Sequence, residues 1–494
     1  MRGCARRPVL QRARLRPDAA ANSAVDLRTF LDSLGGDLLE IGEPVSVVHE
    51  MTALQHQLDR AGRFPVLRFA RPRLASGRPS EIPVVNNLTA SRMLTARALG
   101  VADHRHCAAE FARRSAAAIQ PIVVERADAP VQQLVLQGDA ADLTQLPVLT
   151  QHELEPGPYL TAAHATTFDP DTLTDNTAIQ RCWIMGPRRM SWMAYPASHN
   201  ARNLRKFRER GEPCPVAFWI GHHPAVVIGT QAKLDYPQSH WSAAGGVAGV
   251  PLRLVPSITH GMRVMVPADA EIVIEGWVQP GAETADGPFG EYTGYLGPQT
   301  RAAVCEIACI TRRADAIYHD YGSGLTDMLV PDNIAMEGKL YALVKAVAPS
   351  LVNVHVPVSG RRFHACLQFE RPARGEVRDA LAAALAYRRC KAVFAVDEDV
   401  DIFSPDEVFW ALATRVQWSR DSMILDGLST STLDPSLPAG AQTGSKIGVD
   451  ATLPPAGAPG QPRAVPPRAT VPASAVLRAR ALLDGVGPRD FPEA

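Results

Sequence analysis

The chain has no cysteine pair with the histidine company of a zinc site, no basic stripe, no internal repeat, and nowhere the ~18 consecutive apolar residues of a membrane-spanning helix. The last absence excludes a helical membrane span. Lys plus Arg and Asp plus Glu both total 51, and the basic residues are dispersed, so nucleic acid is not an expected partner. The eight cysteines are scattered, and the closest pair, Cys305 and Cys309, has no histidine company. Free thiols in a reducing cytosol are the simplest reading, which makes the expected location cytoplasmic. Residues 1–25 carry Arg2, Arg6, Arg7, Arg12, Arg14 and Arg16 before the first acid, Asp18, without the apolar segment of a targeting peptide. They read as a disordered basic tail or an over-extended start.

What the chain does have is length and alternating pattern. Its 494 residues exceed one ordinary domain and predict two or three, each with a core. Asp26 reads as the N-cap of a helix with Leu27, Phe30, Leu31 and Leu34 on one face. From there to about Arg126, helical and extended signals alternate in an α/β lead-in layer. From about Leu134 to Tyr321, short β-branched runs at 216–221, 225–229, 263–267, 271–278 and 304–311 predict a closed or split barrel. Pro331-Asp332 reads as the start of a long helix that Pro349 ends. Residues 351–452 alternate strand and helix in a smaller α/β domain. Residues 454–472 are too rich in proline and alanine for a packed core, while 475–483 reads as a short helix docking back.

Two stretches carry the chemistry. Asn176-Thr177-Ala178-Ile179-Gln180-Arg181 offers a guanidinium, and Asp286-Gly287-Pro288-Phe289-Gly290-Glu291-Tyr292-Thr293-Gly294-Tyr295 offers two carboxylates. Gly287, Pro288 and Gly290 interrupt any regular strand, so the second stretch is expected to turn tightly and bring both acids together. An arginine facing such a pair grips an incoming carboxylate while the acids set the local proton inventory. Each residue alone has a blander reading: Asn176 a turn residue, Arg181 an exposed charge, the acids solvated turn positions and Gly444-Ser445-Lys446 a surface turn.

Together with Gly444-Ser445-Lys446-Ile447-Gly448-Val449-Asp450-Ala451-Thr452 and Ala411-Leu412-Ala413-Thr414-Arg415, these motifs resemble the UbiD family of prenylated-FMN-dependent decarboxylases, over roughly residues 26–452. The resemblance implies a mixed α/β (α+β) fold with these parts: a catalytic, flavin-binding region with a split barrel at 26–325, a linking helix at 326–350, an oligomerisation domain at 351–452, and a Pro-rich tail with a short helix at 453–494. It places the catalytic roles on Arg181, Asp286 and Glu291, and cofactor contacts on Thr161, Asn176, Ile179, Arg181, Ser198, His199 and Lys446. It places a divalent metal, manganese first, on Asn176, His199 and the residue at 240, and admits potassium beside the flavin phosphate. Two positions depart from the family pattern. Ser239-His240-Trp241 stands ahead of Ala244-Gly245 where the family has a glutamate ligand, which shifts metal preference towards softer ions. Asp286 is one methylene shorter than the usual glutamate, about 1.5 Å less reach. Asn176 and Arg181, five apart, would face opposite sides of a regular strand, so a bend or a site at the strand edge is required.

The activity implied is non-oxidative, reversible decarboxylation of an aromatic, heteroaromatic or α,β-unsaturated carboxylic acid. A flavin prenyltransferase would supply the cofactor, and the chain would self-associate as a dimer or hexamer. The alternatives are a non-catalytic flavin-binding or assembly subunit and a simple flavin reductase.

Overall fold

The structure, a computed structural model, describes residues 25–373, 375–453 and 466–484. The expected basic tail and most of the Pro-rich stretch lie outside the described residues. Contacts divide the chain into two compact units between Ala451 and Thr452. The second contributes the helix Ala473–Asp484.

The first unit is built on three main sheets. A ten-stranded sheet forms its centre, with strand order beginning at Tyr159–Leu160 and ending at Asp175–Ile179. Those two end strands do not pair with each other, so the barrel is split rather than closed. Its spine is the 13-residue strand Thr300–Arg312, which pairs with Ile272–Val278 and Glu283–Asp286, and also with Arg189–Trp192 and Leu134–Gln137. Cys214–Ile220 is buried along its whole length, with Phe218 and Trp219 fully enclosed. Each such side chain contributes about 1.5–3 kcal/mol by leaving water.

A four-stranded sheet flanks the centre at the N-terminal side, where Tyr318–His319 pairs in parallel with Val84–Asn86 and ties the end of the barrel back to the lead-in layer. The first helix, Leu27–Ser33, begins as expected, with Asp26 accepting from the Thr29 amide at 2.8 Å in a capping box. At the C-terminal side, a five-stranded sheet runs in the order Leu351–His355, His364–Phe369, Ala392–Asp397, Thr443–Asp450 and Ser422–Ser429. Its inner three strands are parallel, with Glu376–Ala386 and Pro405–Arg415 as crossover helices.

Three elements differ from the sequence reading. Residues 225–229 include the β-branched Val226, Val227 and Ile228 yet belong to a buried helix, Pro224–Gly229: proline takes the first helical position and the His223 imidazole caps the Ala225 amide at 3.1 Å. The long helix starts earlier, as Thr326–Lys345, and contains Pro331. Proline leaves the Asp327 carbonyl without its i+4 donor, and the Thr89 hydroxyl takes that place at 3.4 Å. Gly444-Ser445-Lys446 is not a surface turn but part of the strand Thr443–Asp450.

Candidate active site

Arg181 sits with Gln180 in the two-residue break between strands Asp175–Ile179 and Cys182–Gly186. That break interrupts the strand between Asn176 and Arg181. Gln180 is held on every side: its carbonyl oxygen accepts from Trp192 and Asn200, both at 2.9 Å, and its amide donates to Ser198 at 3.2 Å. The backbone entering Arg181 is therefore fixed before its side chain is considered.

The two acids arrive from a small hairpin. Asp286 ends its strand, and Phe289–Gly290 pairs with Leu296–Gly297, so Glu291 opens the tight turn between them. Its amide donates to the Tyr295 carbonyl at 3.0 Å, and its carbonyl accepts from Gly294 at 2.9 Å. Glycine is required at two positions here. Gly287 has φ of +96°, and a Cβ on Gly290 would lie 2.3 Å from the His152 ring.

Both carboxylates meet Arg181. Asp286 Oδ2 accepts from Nε at 2.9 Å and from a terminal nitrogen at 2.7 Å, while the other terminal nitrogen donates to Glu291 Oε1. The shorter aspartate thus reaches its partner directly. Asp286 is fully buried, and its second oxygen accepts from the Ser191 hydroxyl at 2.6 Å. The guanidinium carbon lies 4.8 Å from the centre of the Phe289 ring, which itself packs on Tyr159. Tyr159 accepts the Gly287 amide at 3.0 Å, anchoring the loop. Burial raises the Glu291 carboxyl above its ordinary range, and the Arg181 charge only partly offsets that. Burial also opposes the charge on Arg181, but the two carboxylates outweigh it and hold the guanidinium protonated.

A second polar group lies on the adjoining edge. His199 and His240 are the first residues of helices His199–Glu209 and His240–Ala248, and their rings are 6.0 Å apart. Asn176 is tied to the second helix through its neighbour Asp175, which accepts from the Ser239 hydroxyl at 2.5 Å and the Trp241 amide at 3.2 Å. Asn176 Nδ2 and His240 Nδ1 are buried without a protein partner. Burial first, then the charges of His199 and Lys233, push the His240 imidazole down to about 3, so it is neutral.

The other sequence candidates are placed as follows. Thr161 donates to Asp320 at 2.8 Å, Ile179 ends its strand opposite His164, and Ser198 caps its helix through the Ala201 amide at 3.2 Å. Lys446 is 2 % exposed and donates to the Leu385 carbonyl at 2.8 Å and the Tyr387 carbonyl at 2.9 Å. There it completes the C-terminus of helix Glu376–Ala386, where a cation is favoured, instead of presenting its amine from a loop. Sequence reasoning missed Ser191, Tyr159 and Phe289. The first two have no local signature, whereas Phe289 stood inside the motif and passed as a spacer.

Three domain families match the chain in order: the 3-octaprenyl-4-hydroxybenzoate carboxy-lyase N-terminal domain at residues 34–113, the Rift-related domain at 122–325 and the C-terminal domain at 333–451. The chain therefore belongs to the UbiD family of carboxy-lyases. It is 30 % identical over 437 residues to anhydromevalonate phosphate decarboxylase of Methanothermobacter thermautotrophicus, spanning 87 % of this chain and 97 % of the relative. It is similar in structure to the UbiD-class enzyme HmfF from Pelotomaculum thermopropionicum in complex with FMN, with a TM-score of 0.84 and 33 % identity over 92 % of this chain and 99 % of the other. Vanillic acid decarboxylase from Sedimentibacter hydroxybenzoicus, in open form, matches with a TM-score of 0.81 and 26 % identity over 93 % and 98 %.

Proposed function

We propose that this UbiD-class decarboxylase removes carbon dioxide from an aromatic, heteroaromatic or α,β-unsaturated carboxylic acid, without net oxidation and in either direction, with prenylated FMN bound. The observation that carries the reading is the buried Arg181 gripped by both Asp286 and Glu291. When bound, the prenylated flavin supplies an electron sink for the pair left by carbon dioxide.

The residues divide the remaining work. Arg181 holds the substrate carboxylate. That third negative charge cannot coexist cheaply with two ionised acids, so Glu291, already raised by burial, takes the proton. After the carbon–carboxyl bond breaks, Glu291 returns that proton to the carbon and becomes carboxylate again. Asp286, fixed by Ser191, keeps the guanidinium oriented throughout.

The histidine edge suits the flavin phosphate. Two helix N-termini favour an anion, and Asn176 and His240 keep polar atoms that no protein group meets. A divalent ion held by Asn176, His199 and His240 fits the same place and would neutralise the phosphate. Its ligands would be two imidazoles and an amide with no carboxylate, a set better matched to ions softer than manganese. Supply of the cofactor by a flavin prenyltransferase, cytoplasmic location and self-association belong to the same proposal. Trp418 and Ile424, 57 % and 62 % exposed beside the edge strand Ser422–Ser429, support self-association.

Coexpression with a flavin prenyltransferase followed by a panel of carboxylic acids tests the reading. A flavin absorption band together with carbon dioxide release from at least one unsaturated or aromatic acid is expected. A flavin-loaded protein inert across the panel in both directions would favour the non-catalytic subunit.

A further inference from the structure

Next to Glu291 lies a buried charge cluster that the decarboxylation chemistry does not use. Lys233, Arg362 and Arg389 all converge on one carboxylate, Asp332: Arg362 pairs at 3.1 Å, Arg389 at 2.5 Å and Lys233 through its ammonium. Among the described residues no other acid pairs with these three cations. Asp332 is 6 % exposed and Arg362 7 %, so Arg362 is held away from water, while the Lys233 and Arg389 side chains are partly exposed at 25 % and 27 %. Uncompensated buried charge is costly unless something pairs with it.

Three further observations orient the cluster. Arg362 Nε is buried without a protein partner. Arg361 and Arg362 both take positive φ, +48° and +64°, a backbone strain that non-glycine residues accept where the surroundings impose it. The cluster also faces the proton donor. The guanidinium carbons of Arg362 and Arg389 lie 5.0 and 5.9 Å from the ring centre of Tyr292, the residue after Glu291, and Arg361 donates to the Gly324 carbonyl under the same loop at 2.5 Å. The Arg362 charge is felt at Glu291.

Charge balance gives the cluster a purpose. Together with Arg181, the four cations exceed Asp286, Glu291 and Asp332 by one positive charge. A substrate carboxylate at Arg181 removes that excess, and protonation of Glu291 restores it. We propose that Arg362, Arg389 and Lys233 form a subsite for a second anionic group of the substrate, a phosphate or a second carboxylate, so that the favoured substrate is an unsaturated acid with two anionic ends. The proposal rests on the decarboxylase reading, and the flavin phosphate is not assigned here because the Asn176 and His240 edge already provides for it.

The test uses holoenzyme and matched acid pairs, an α,β-unsaturated monocarboxylic acid against its ω-carboxylated and ω-phosphorylated counterparts. Wild type is expected to show KM at least tenfold lower for the doubly charged acids. Arg362→Gln and Arg389→Gln should shrink that ratio towards one, and Arg362→Lys should restore part of it. FMN affinity, read by flavin fluorescence quenching on apoprotein, should stay within twofold of wild type in the same variants. A wild-type ratio near one, or a ratio unmoved by the variants, overturns the proposal. So does a fall in FMN affinity with riboflavin affinity intact, which would assign the cluster to the flavin phosphate. Should the glutamine variants fail to fold, the wild-type ratio and the lysine variant still decide. Failure of the decarboxylase reading looks different: no acid of either charge is turned over.

Discussion

The arginine–carboxylate set and the histidine edge lie on one split barrel, yet their polar atoms are satisfied in opposite ways. Asp286 accepts three hydrogen bonds, Arg181 donates to both acids, and Gln180 behind it is fully engaged. Asn176 Nδ2 and His240 Nδ1, by contrast, are buried with nothing from the protein to meet them. A network satisfied from within is rigid and preorganised, as a group that must orient a substrate to a fraction of an ångström should be. Under the proposed function, those two atoms are the ones that a phosphate or a metal ion would meet.

The comparison breaks most visibly at Arg181. Arg181→Met should lower kcat/KM by at least about a hundredfold, because the carboxylate grip is gone. It should also destabilise the fold by about 3–5 kcal/mol at neutral pH, since two buried acids lose their cation. Without the Arg181 charge that lowers it, Glu291 binds its proton more readily in the folded state, so the stability deficit should shrink as pH falls. A melting series across pH measures it, and a pH-independent deficit would show that the acids are not uncompensated.

On the other edge, His240→Ala should lower metal content and FMN affinity together, by at least about tenfold for the metal, while leaving the Arg181 network intact. Unchanged metal on elemental analysis would make His240 structural. The pH dependence of kcat sharpens the contrast further. In the proposed reaction Glu291 is the protonated donor and burial raises its pKa, so turnover should persist above the ordinary glutamate range and then fall as pH climbs through the raised value. A rate that rises across that window would remove Glu291 as the acid. The smallest effect on the site is expected at Lys446. Lys446→Met should lower Tm, because carbonyls at the end of helix Glu376–Ala386 lose their donor, with FMN affinity held. A loss of FMN affinity without a loss of stability would return Lys446 to the cofactor.

These outcomes also mark how far the sequence could be read. Asp286 and Glu291 were legible as a pair because glycine and proline between them force a turn, and a turn brings together residues that a strand would separate; the role of Arg181 came from the family resemblance, since spacing alone does not show it. The strands 214–220, 261–267, 272–278 and 300–312 followed from β-branched runs. Residues 225–229 did not, because a fully buried helix shows no amphipathic period and the deciding signals were Pro224 and the cap at His223. Pro331 was read as a helix start because the rule that proline breaks helices assumes that nothing else reaches the freed carbonyl, and Thr89, more than two hundred residues earlier, does. Ser191 was invisible for a related reason. Its partnership with Asp286 depends on two strands sharing Thr300–Arg312 as a neighbour, and such register is not written in either strand alone.

The most direct measurement is Glu291→Gln in prenylated-FMN-loaded protein, with flavin absorption and carbon dioxide release recorded on the same sample. The account predicts an unchanged flavin band and a rate lower by about 10²–10⁴-fold, since the amide keeps the shape and loses the proton. Wild-type release from that variant would contradict it.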